Sequence, residues 1–364
     1  MANPTTRVIG GVDTHKHTHY VAAIDDQGRL LGHHEFPATE RGYGALLAWL
    51  QRQGQVLIIG VESTGNFGAA LTRHLSAAGQ SVVEVNKPNH QARYMEGKSD
   101  RLDAEQIARS VLAGTGVSTP KSKSGPVEVI RTLRIARRSA IRARTQAFNL
   151  LFHTMVSGPS EVRDGLVDLT RRTFVNRCLE LEPETEVLLE LIDEPERMVL
   201  ASVKLTLRDL ARRWKTLDAE VKTLSQQIKD LVEHVAPELV AMFGVSTELA
   251  GQFLVTAGDN PERIRSEAAF AKLCGVSPKP ASSGRTNGRH RLNRGGDRAA
   301  NSALYIVAIV RLRHHEATRD YVARRTAEGL SKREIIRCLK RYIAREVFAA
   351  LPRTEPLEAL DLAA

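Results

Sequence analysis

The chain has 364 residues and a formal net charge of +10, and this length is ample for at least two globular domains. A balance this basic indicates a polyanionic partner, either nucleic acid or an anionic membrane surface. No apolar run approaches the roughly 18 residues needed to span a bilayer, and the first residues lack the basic and apolar regions of a signal peptide. We therefore expect a cytoplasmic protein that binds nucleic acid and no membrane.

The N-terminal part of the chain alternates between strand and helix patterns. Strands are predicted at residues 7–13, 19–25 and 29–36, followed by helix 40–53, strand 56–62, helix 67–78, strand 81–85 and helix 101–113. Hairpin-connected strands followed by right-handed crossovers give a mixed sheet with helices on its faces. This is the element order of the RNase H fold, so an α/β domain of that kind is predicted over residues 1–118.

A basic helix is predicted after a Gly- and Ser-rich linker at residues 114–126. Residues 121–150 contain eight lysines and arginines against one glutamate. Small and apolar residues at spacings of three and four predict a packing seam, namely Leu133, Ala136, Ala140, Ala143, Ala147 and Leu150. Four arginines beside that seam are expected to hold nucleic acid through phosphate contacts: Arg131, Arg134, Arg138 and Arg142.

The central region, residues 119–237, contains an unbroken heptad pattern from Leu200 to Val235. Spacings of 3-4-3-4 over five repeats predict a coiled coil that joins protomers into a dimer or tetramer. A hairpin that packs within one chain is the alternative. Residues 238–351 are predicted to form a mostly helical C-terminal domain. This domain is basic, because residues 271–350 contain 18 lysines and arginines against 6 acids. Residues 352–364 are expected to be a tail.

Four acidic residues follow or begin elements of the predicted sheet. Asp13 and Glu62 each end a strand, and strands that leave the same edge of a sheet bring such residues together. Asp100 and Asp103 stand three apart at the start of a helix, which places them on one face. Clustered carboxylates repel each other unless cations neutralise them, and all-oxygen ligands favour Mg²⁺ or Mn²⁺.

Each acid alone has a structural alternative. Asp100 could cap its helix, and Asp103 could be an exposed acid of the first turn. Three histidines alternate near the first hairpin, at positions 15, 17 and 19. We expect His15, His17 and His19 to lie in a solvated turn rather than to bind metal.

These acidic segments resemble a known family. They are Gly11-Val12-Asp13-Thr14-His15-Lys16, Val61-Glu62-Ser63-Thr64-Gly65 and Lys98-Ser99-Asp100-Arg101-Leu102-Asp103-Ala104. They resemble the three acidic motifs of the DEDD transposases in the bacterial insertion-sequence family numbered one hundred and ten. The resemblance continues at Phe270 to Pro278, at Ser282-Ser283-Gly284-Arg285 and at Leu292 to Arg298, where Arg294 and Asp297 replace the family's Lys and Asn.

The resemblance implies a function that composition does not show. It implies a RuvC-like N-terminal domain, and a C-terminal domain whose nucleophilic serine falls on Ser283. It also implies excision and insertion of a mobile element at element ends and target DNA, guided by a structured non-coding RNA, at the bacterial nucleoid. Five arginines near Ser283 are expected to contact nucleic acid: Arg285, Arg289, Arg291, Arg294 and Arg298.

Three other functions are compatible with parts of the sequence. A RuvC-like nuclease or junction resolvase would use the four acids with water as nucleophile. An actin-like ATPase or kinase also begins with a strand that ends in Asp, but it needs a Gly-rich phosphate loop, and Thr14-His15-Lys16 follows Asp13 instead. A non-catalytic nucleic-acid-binding protein leaves the four acids unexplained. The sequence therefore predicts a DNA transposase or recombinase.

Overall fold

The computed structural model describes residues 6–85, 99–280, 290–292 and 295–352. The chain divides into two compact units, one made of Met1–Glu128 with Gln252–Ala364 and the other of Val129–Gly251. In the described ranges, no helix has the length and hydropathy required to cross a membrane. The predicted tail lies outside the described residues from position 353 onwards.

A six-stranded mixed sheet lies in the N-terminal part of the first unit. Its strands are β1 (Arg7–Thr14), β2 (Thr18–Asp25), β3 (Leu30–Pro37), β4 (Gln55–Glu62), β5 (Val82–Val85) and β6 (Val117–Ser118). Their order is β3-β2-β1-β4-β5-β6. Strand β1 is antiparallel to β2 and parallel to β4, whereas β5 is parallel to β4 and antiparallel to β6. The predicted mixed sheet is confirmed.

In the described ranges of this domain, three helices cover the two faces of the sheet: α1 (Glu40–Gln53), α2 (Ala69–Ala77) and α3 (Asp100–Leu112). The hydroxyl groups of Thr39 and Ser99 cap α1 and α3 by accepting backbone N–H donors, which satisfies N–H groups that have no partner inside a helix. On one face, Val12 and Val61 pack with leucines of α1 and α2. On the other face, Ile9 packs with Ile107 and Val111 of α3.

The second unit is built mainly from two long helices, α4 (Pro126–Val156) and α7 (Pro195–Val235), the former beginning in the first unit. Between them lie α5 (Ser160–Arg163), α6 (Arg171–Leu179) and a 3₁₀ turn (Leu188–Leu191). Arg137 donates to Ser225 and Arg144 to Asp218. Residue numbers rise along α4 from Arg137 to Arg144 while those of their partners on α7 fall from Ser225 to Asp218, so the two helices run antiparallel. Leu151 and Met155 share a core with Leu207 and α6.

The packing seam of α4 agrees in part with the predicted one, since Ala140 and Ala147 are buried. Ala136 and Leu150 of the predicted seam are exposed, whereas Ile130, Leu151 and Met155 are fully buried. The buried line also includes Arg134, whose guanidinium pairs with Glu248, and beside it the half-buried Arg137 and Arg144 find partners on α7. An arginine can bury its apolar stem while its charged end keeps a partner. The spacing of small and apolar residues therefore predicts the alanines of this line but not its arginines, which such a pattern assigns to the surface.

The C-terminal part of the chain is mostly helical. Its helices are α8 (Pro237–Ala241), α9 (Thr247–Ala257), α10 (Glu267–Leu273), α11 (Arg298–His314), α12 (Glu316–Ala327) and α13 (Lys332–Ala349). A two-stranded antiparallel hairpin, β7 (Pro278–Pro280) and β8 (His290–Leu292), precedes α11. Ser331 and Glu334 form a capping box at the start of α13, so this sequence specifies its own helix terminus.

The predicted linker is an ordered connection within the first unit. Two of its residues pair with β5 as strand β6. After β6, within the same linker, the Ser122 N–H donates to Asn260 Oδ1 at 3.1 Å, and the Lys121 ammonium donates to the Val255 carbonyl oxygen at 2.6 Å. Asp259 caps the first turn of α4 by accepting from the N–H of Val127 at 2.7 Å. Burial lowers the pKa of Lys121 to about 8.

Candidate functional site

Asp13 and Glu62 lie side by side at one edge of the sheet. Strands β1 and β4 are parallel with Val12 opposite Val61, so the next residue of each strand is also adjacent. Side chains alternate between the faces of a strand. Since Val12 and Val61 face the core with α1 and α2, Asp13 and Glu62 lie on the face that α3 covers.

Helix α3 approaches this face closely because two neighbouring strand positions have no side chain. Gly11 pairs with Gly60 across β1 and β4. A Cβ atom on Gly11 would lie 2.3 Å from the Ala104 carbonyl oxygen and 2.3 Å from the Ala108 nitrogen. The close packing brings the first turn of α3, with Asp100 and Asp103, to the end of β1, where Asp13 lies. The sequence therefore gathers its four acids on one side of the sheet.

The structure brings Asp13, Asp100 and His15 closest together. His15 Nε2 lies 3.2 Å from Asp13 Oδ2 and 3.4 Å from Asp100 Oδ2. One ligand atom from each of the three residues falls within 4.8 Å of the others. Asp13 and Asp103 are buried, whereas the Asp100 side chain is 52% exposed. The site therefore has a buried floor and one solvent-facing carboxylate.

The turn after Glu62 is held in an uncommon backbone conformation. Ser63 has a φ of 53°, which lies in the left-handed region that non-glycine residues rarely adopt. Thr14 Oγ1 donates to the Glu62 carbonyl oxygen at 3.0 Å, and Lys123 Nζ donates to the Gly65 carbonyl oxygen at 2.6 Å. Strained backbone persists where its surroundings fix it. These contacts therefore fix the end of β4, and with it the backbone position from which the Glu62 side chain projects.

The donor set of this site fits a divalent cation. Oxygen ligands come from carboxylates, which suit Mg²⁺, Ca²⁺ and Mn²⁺, and an imidazole nitrogen is available beside them. In the described ranges, His15 Nε2 is shielded from solvent and has no hydrogen-bond partner with acceptable geometry, although two carboxylates lie close to it. Buried polar atoms without hydrogen bonds are uncommon, and a cation shared with the carboxylates would satisfy this one.

The three histidines of the first hairpin differ in their surroundings. His17 is exposed, as the sequence predicts for a solvated turn. That prediction is wrong for His19, which is fully buried and stacks on Tyr43 with ring centroids 5.5 Å apart. Burial lowers the pKa of His19. His15 lies in the turn but faces the acids, and no signal within the hairpin sequence separates it from His17.

One predicted arginine contact is not compatible with the structure. Arg134 is buried, and its guanidinium donates to the Glu248 carbonyl oxygen at 2.7 Å and contacts Glu248 Oε1 at 3.0 Å. It therefore holds α4 to α9 rather than facing a phosphate. Among its three predicted companions, Arg138 and Arg142 are exposed and Arg131 is half-buried. The seven-residue and four-residue steps between them place all three along one stripe of α4.

The predicted nucleophile lies outside the described residues. Ser282, Ser283, Arg285, Arg289 and Arg294 all do so, and they belong to or follow the connection between β7 and β8. Arg291 lies on β8, and Arg298 is exposed as the first residue of α11. Next to it, the Asp297 carboxylate caps α11 through the Ala299 N–H at 2.8 Å.

Two family profiles match this chain. A profile of DEDD type, described as "Transposase", matches residues 10–157, which include all four acids. A second, described as "Transposase IS116/IS110/IS902 family", matches residues 236–323, which include Ser283. Together the two ranges cover more than half of the chain.

Relatives from three mobile elements are similar to this chain. An IS116 uncharacterized 44.8 kDa protein of Streptomyces clavuligerus is 24% identical over 94% of both chains. An IS900 uncharacterized 42 kDa protein of Mycobacterium paratuberculosis is 23% identical over 96% of both. An IS110 uncharacterized 43.6 kDa protein of Streptomyces coelicolor is 29% identical over 39% of this chain and 35% of its own. With the two profile matches, these similarities show that the chain belongs to the IS110 family and is a DNA transposase.

Proposed function

We propose that this transposase excises and inserts its own element by metal-dependent cleavage and exchange of DNA strands. The observation that carries the proposal is the convergence of Asp13 and Asp100 at the end of β1, on the face where Glu62 and Asp103 also lie. The strand order β3-β2-β1-β4-β5, with β2 antiparallel to both its neighbours, supports an RNase H-like and RuvC-like N-terminal domain. The family membership favours a transposase over an actin-like ATPase.

In this proposal Asp13, Glu62, Asp100 and Asp103 hold Mg²⁺ or Mn²⁺. When bound, the ions would stabilise the negative charge that develops on the phosphate oxygens during strand transfer. The close contact of α3 with Gly11 keeps the carboxylates at fixed spacing, which preorganises the site before DNA arrives. The exposed Asp100 lies on the side from which a phosphate would enter.

Ser283 is the proposed nucleophile, on the basis of the family resemblance. Its oxygen would form an ester bond to the scissile phosphorus while the bond from phosphorus to a deoxyribose oxygen breaks and that oxygen takes up a proton. A serine hydroxyl is a weak nucleophile at neutral pH and needs activation. The acidic site, together with Arg285 and Arg289, would provide activation and charge stabilisation.

The test is to trap a covalent protein–DNA adduct. End-labelled DNA carrying the element end is incubated with the protein and Mg²⁺, the reaction is stopped with denaturant, and labelled protein is resolved on a gel. The adduct is expected in the parent enzyme, absent in Ser283→Ala, and retained in the matched control Ser282→Ala. Asp13→Asn should lose the adduct while nucleic-acid binding is retained.

Two results would redirect the proposal. Cleavage by Ser283→Ala at the normal rate, with no adduct in the parent enzyme, would indicate water as the nucleophile and a RuvC-like nuclease. Cleavage by Asp13→Asn in Mg²⁺ would contradict the assignment of the acidic site.

The basic surface of α4 is the proposed binding region for nucleic acid. Arg131, Arg138 and Arg142 form a stripe along that helix, and Arg291 and Arg298 would add contacts near the β7–β8 hairpin. Phosphate contacts of this kind are independent of sequence. We propose DNA ends, target DNA and a structured guide RNA as partners, in the bacterial cytoplasm at the nucleoid. The guide RNA rests on the family resemblance and on the presence of two basic regions.

Assembly into a dimer or tetramer is proposed through α7. Of the eleven heptad positions from Leu200 to Val235, only Leu207, Val221 and Ile228 are buried within the chain, and the other eight are half-buried. A second helix from another protomer would cover the remaining apolar area. Such a coiled coil would hold two or more active sites together during strand exchange.

A further inference from the structure

His15 occupies a position beside the acids that its exposed neighbour His17 does not share. The His15 N–H donates to the Thr18 carbonyl oxygen at 3.0 Å, which closes the tight turn between β1 and β2. This turn leaves Lys16 and His17 exposed and His15 half-buried. The backbone therefore fixes which histidine of the hairpin reaches the carboxylates.

The distances around His15 Nε2 match those between neighbouring ligands of one cation. In octahedral coordination with bonds of about 2.1 Å, adjacent ligand atoms are about 3 Å apart. His15 Nε2 lies 3.2 Å from Asp13 Oδ2 and 3.4 Å from Asp100 Oδ2. In the part of the chain that the structure describes, this nitrogen has no hydrogen bond and is shielded from solvent. A nitrogen so placed is suited to share a cation with both carboxylates.

We infer that His15 Nε2 is a ligand to the divalent ion, alongside Asp13 and Asp100, and that this nitrogen sets the ion preference of the enzyme. The inference rests on the metal centre of the proposed function. Mg²⁺ is a hard ion that binds oxygen ligands, whereas Mn²⁺ accepts carboxylates and, as a first-row transition-metal ion, also binds nitrogen ligands. A mixed nitrogen and oxygen site therefore prefers Mn²⁺ over Mg²⁺ more strongly than a site of four carboxylates does.

The test measures the ligands directly by electron paramagnetic resonance. Untagged, full-length protein is loaded with Mn²⁺, and electron spin-echo envelope modulation is recorded to detect ¹⁴N coupled to the ion. Coupling from a directly bound imidazole nitrogen is expected in the parent protein and in the matched control His17→Ala. It should disappear in His15→Ala. Far-UV circular dichroism of the three proteins checks that each variant is folded.

Affinity provides the second measurement. Titration with Mn²⁺ should show that His15→Ala binds the ion about 10- to 100-fold more weakly than the parent protein. This is the loss in affinity that removal of a group supporting a metal site causes. Competition with Mg²⁺ should show that Mg²⁺ affinity falls less, so that the preference for Mn²⁺ is reduced. His17→Ala should leave both affinities unchanged.

The outcomes separate this inference from the metal centre on which it rests. Mn²⁺ bound by the parent protein without ¹⁴N coupling, but lost in Asp13→Asn, would overturn the role of His15 and leave the acidic site intact. That result would make His15 a neighbour of the carboxylates that does not bind the ion. Mn²⁺ binding that is identical in Asp13→Asn and in the parent protein would overturn both.

Discussion

Replacing Gly11 with alanine should separate the two halves of the acidic site. The added Cβ would lie 2.3 Å from the Ala104 carbonyl oxygen and from the Ala108 nitrogen, which is about 1 Å inside van der Waals contact. Both atoms belong to the backbone of α3, so a change of side-chain rotamer cannot relieve the overlap. The whole helix must move away from β1 by about that distance.

The expected cost has two parts. Overpacking of a well-packed interior costs about 1–3 kcal/mol in the free energy of unfolding. The same movement carries Asp100 and Asp103 away from Asp13, and a misplacement of about 1 Å at a catalytic site lowers the rate by about 100-fold. We therefore expect Gly11→Ala to be destabilised, to bind Mn²⁺ more weakly and to cleave DNA poorly.

Urea denaturation and Mn²⁺ titration of the same preparations provide the assay. The matched control is Gly44→Ala in α1, where an added Cβ meets no atom within 4 Å apart from its own chain neighbours and helix backbone. That change should stabilise the protein by about 0.5–1 kcal/mol, because glycine in a helix is less favourable than alanine. If Gly11→Ala has the stability and the Mn²⁺ affinity of the parent protein, the close approach of α3 does not position the acids.

Two further predictions concern the long helices. Replacing Leu217 and Leu224 with lysine should lower the mass measured by light scattering, because unpaired charges cannot be buried in a protomer contact; an unchanged mass would show that the seam serves only the pairing with α4. Replacing Arg138 and Arg142 with alanine should weaken nucleic-acid binding and reduce its salt dependence by about one unit for each lost phosphate contact. A salt dependence equal to that of the parent protein would show that this stripe does not contact nucleic acid.

Local patterns were sufficient to predict the strands and helices that carry the acids. Alternating apolar residues and turn residues are read within a few positions, so the predicted strand at residues 56–62 agrees with β4 to within one residue. The ends of β1 and β4 then follow as positions for Asp13 and Glu62. Heptad spacing likewise predicted one long helix that ends at Val235, although α7 begins at Pro195, five residues before the pattern, because a long helix repeats one pattern many times.

Only the tertiary structure decided which of several similar side chains face a site. Arg134 and Arg138 are one turn apart on α4, yet the first is buried and pairs with Glu248, whereas the second is exposed. His15 and His17 share one turn, and the proximity of Asp100, which is 85 positions along the chain from His15, distinguishes them. Such choices depend on contacts between residues far apart in sequence, and no local periodicity records them. The sequence by itself therefore determined the elements and the acids they present, while packing between distant segments determined the direction of the basic side chains.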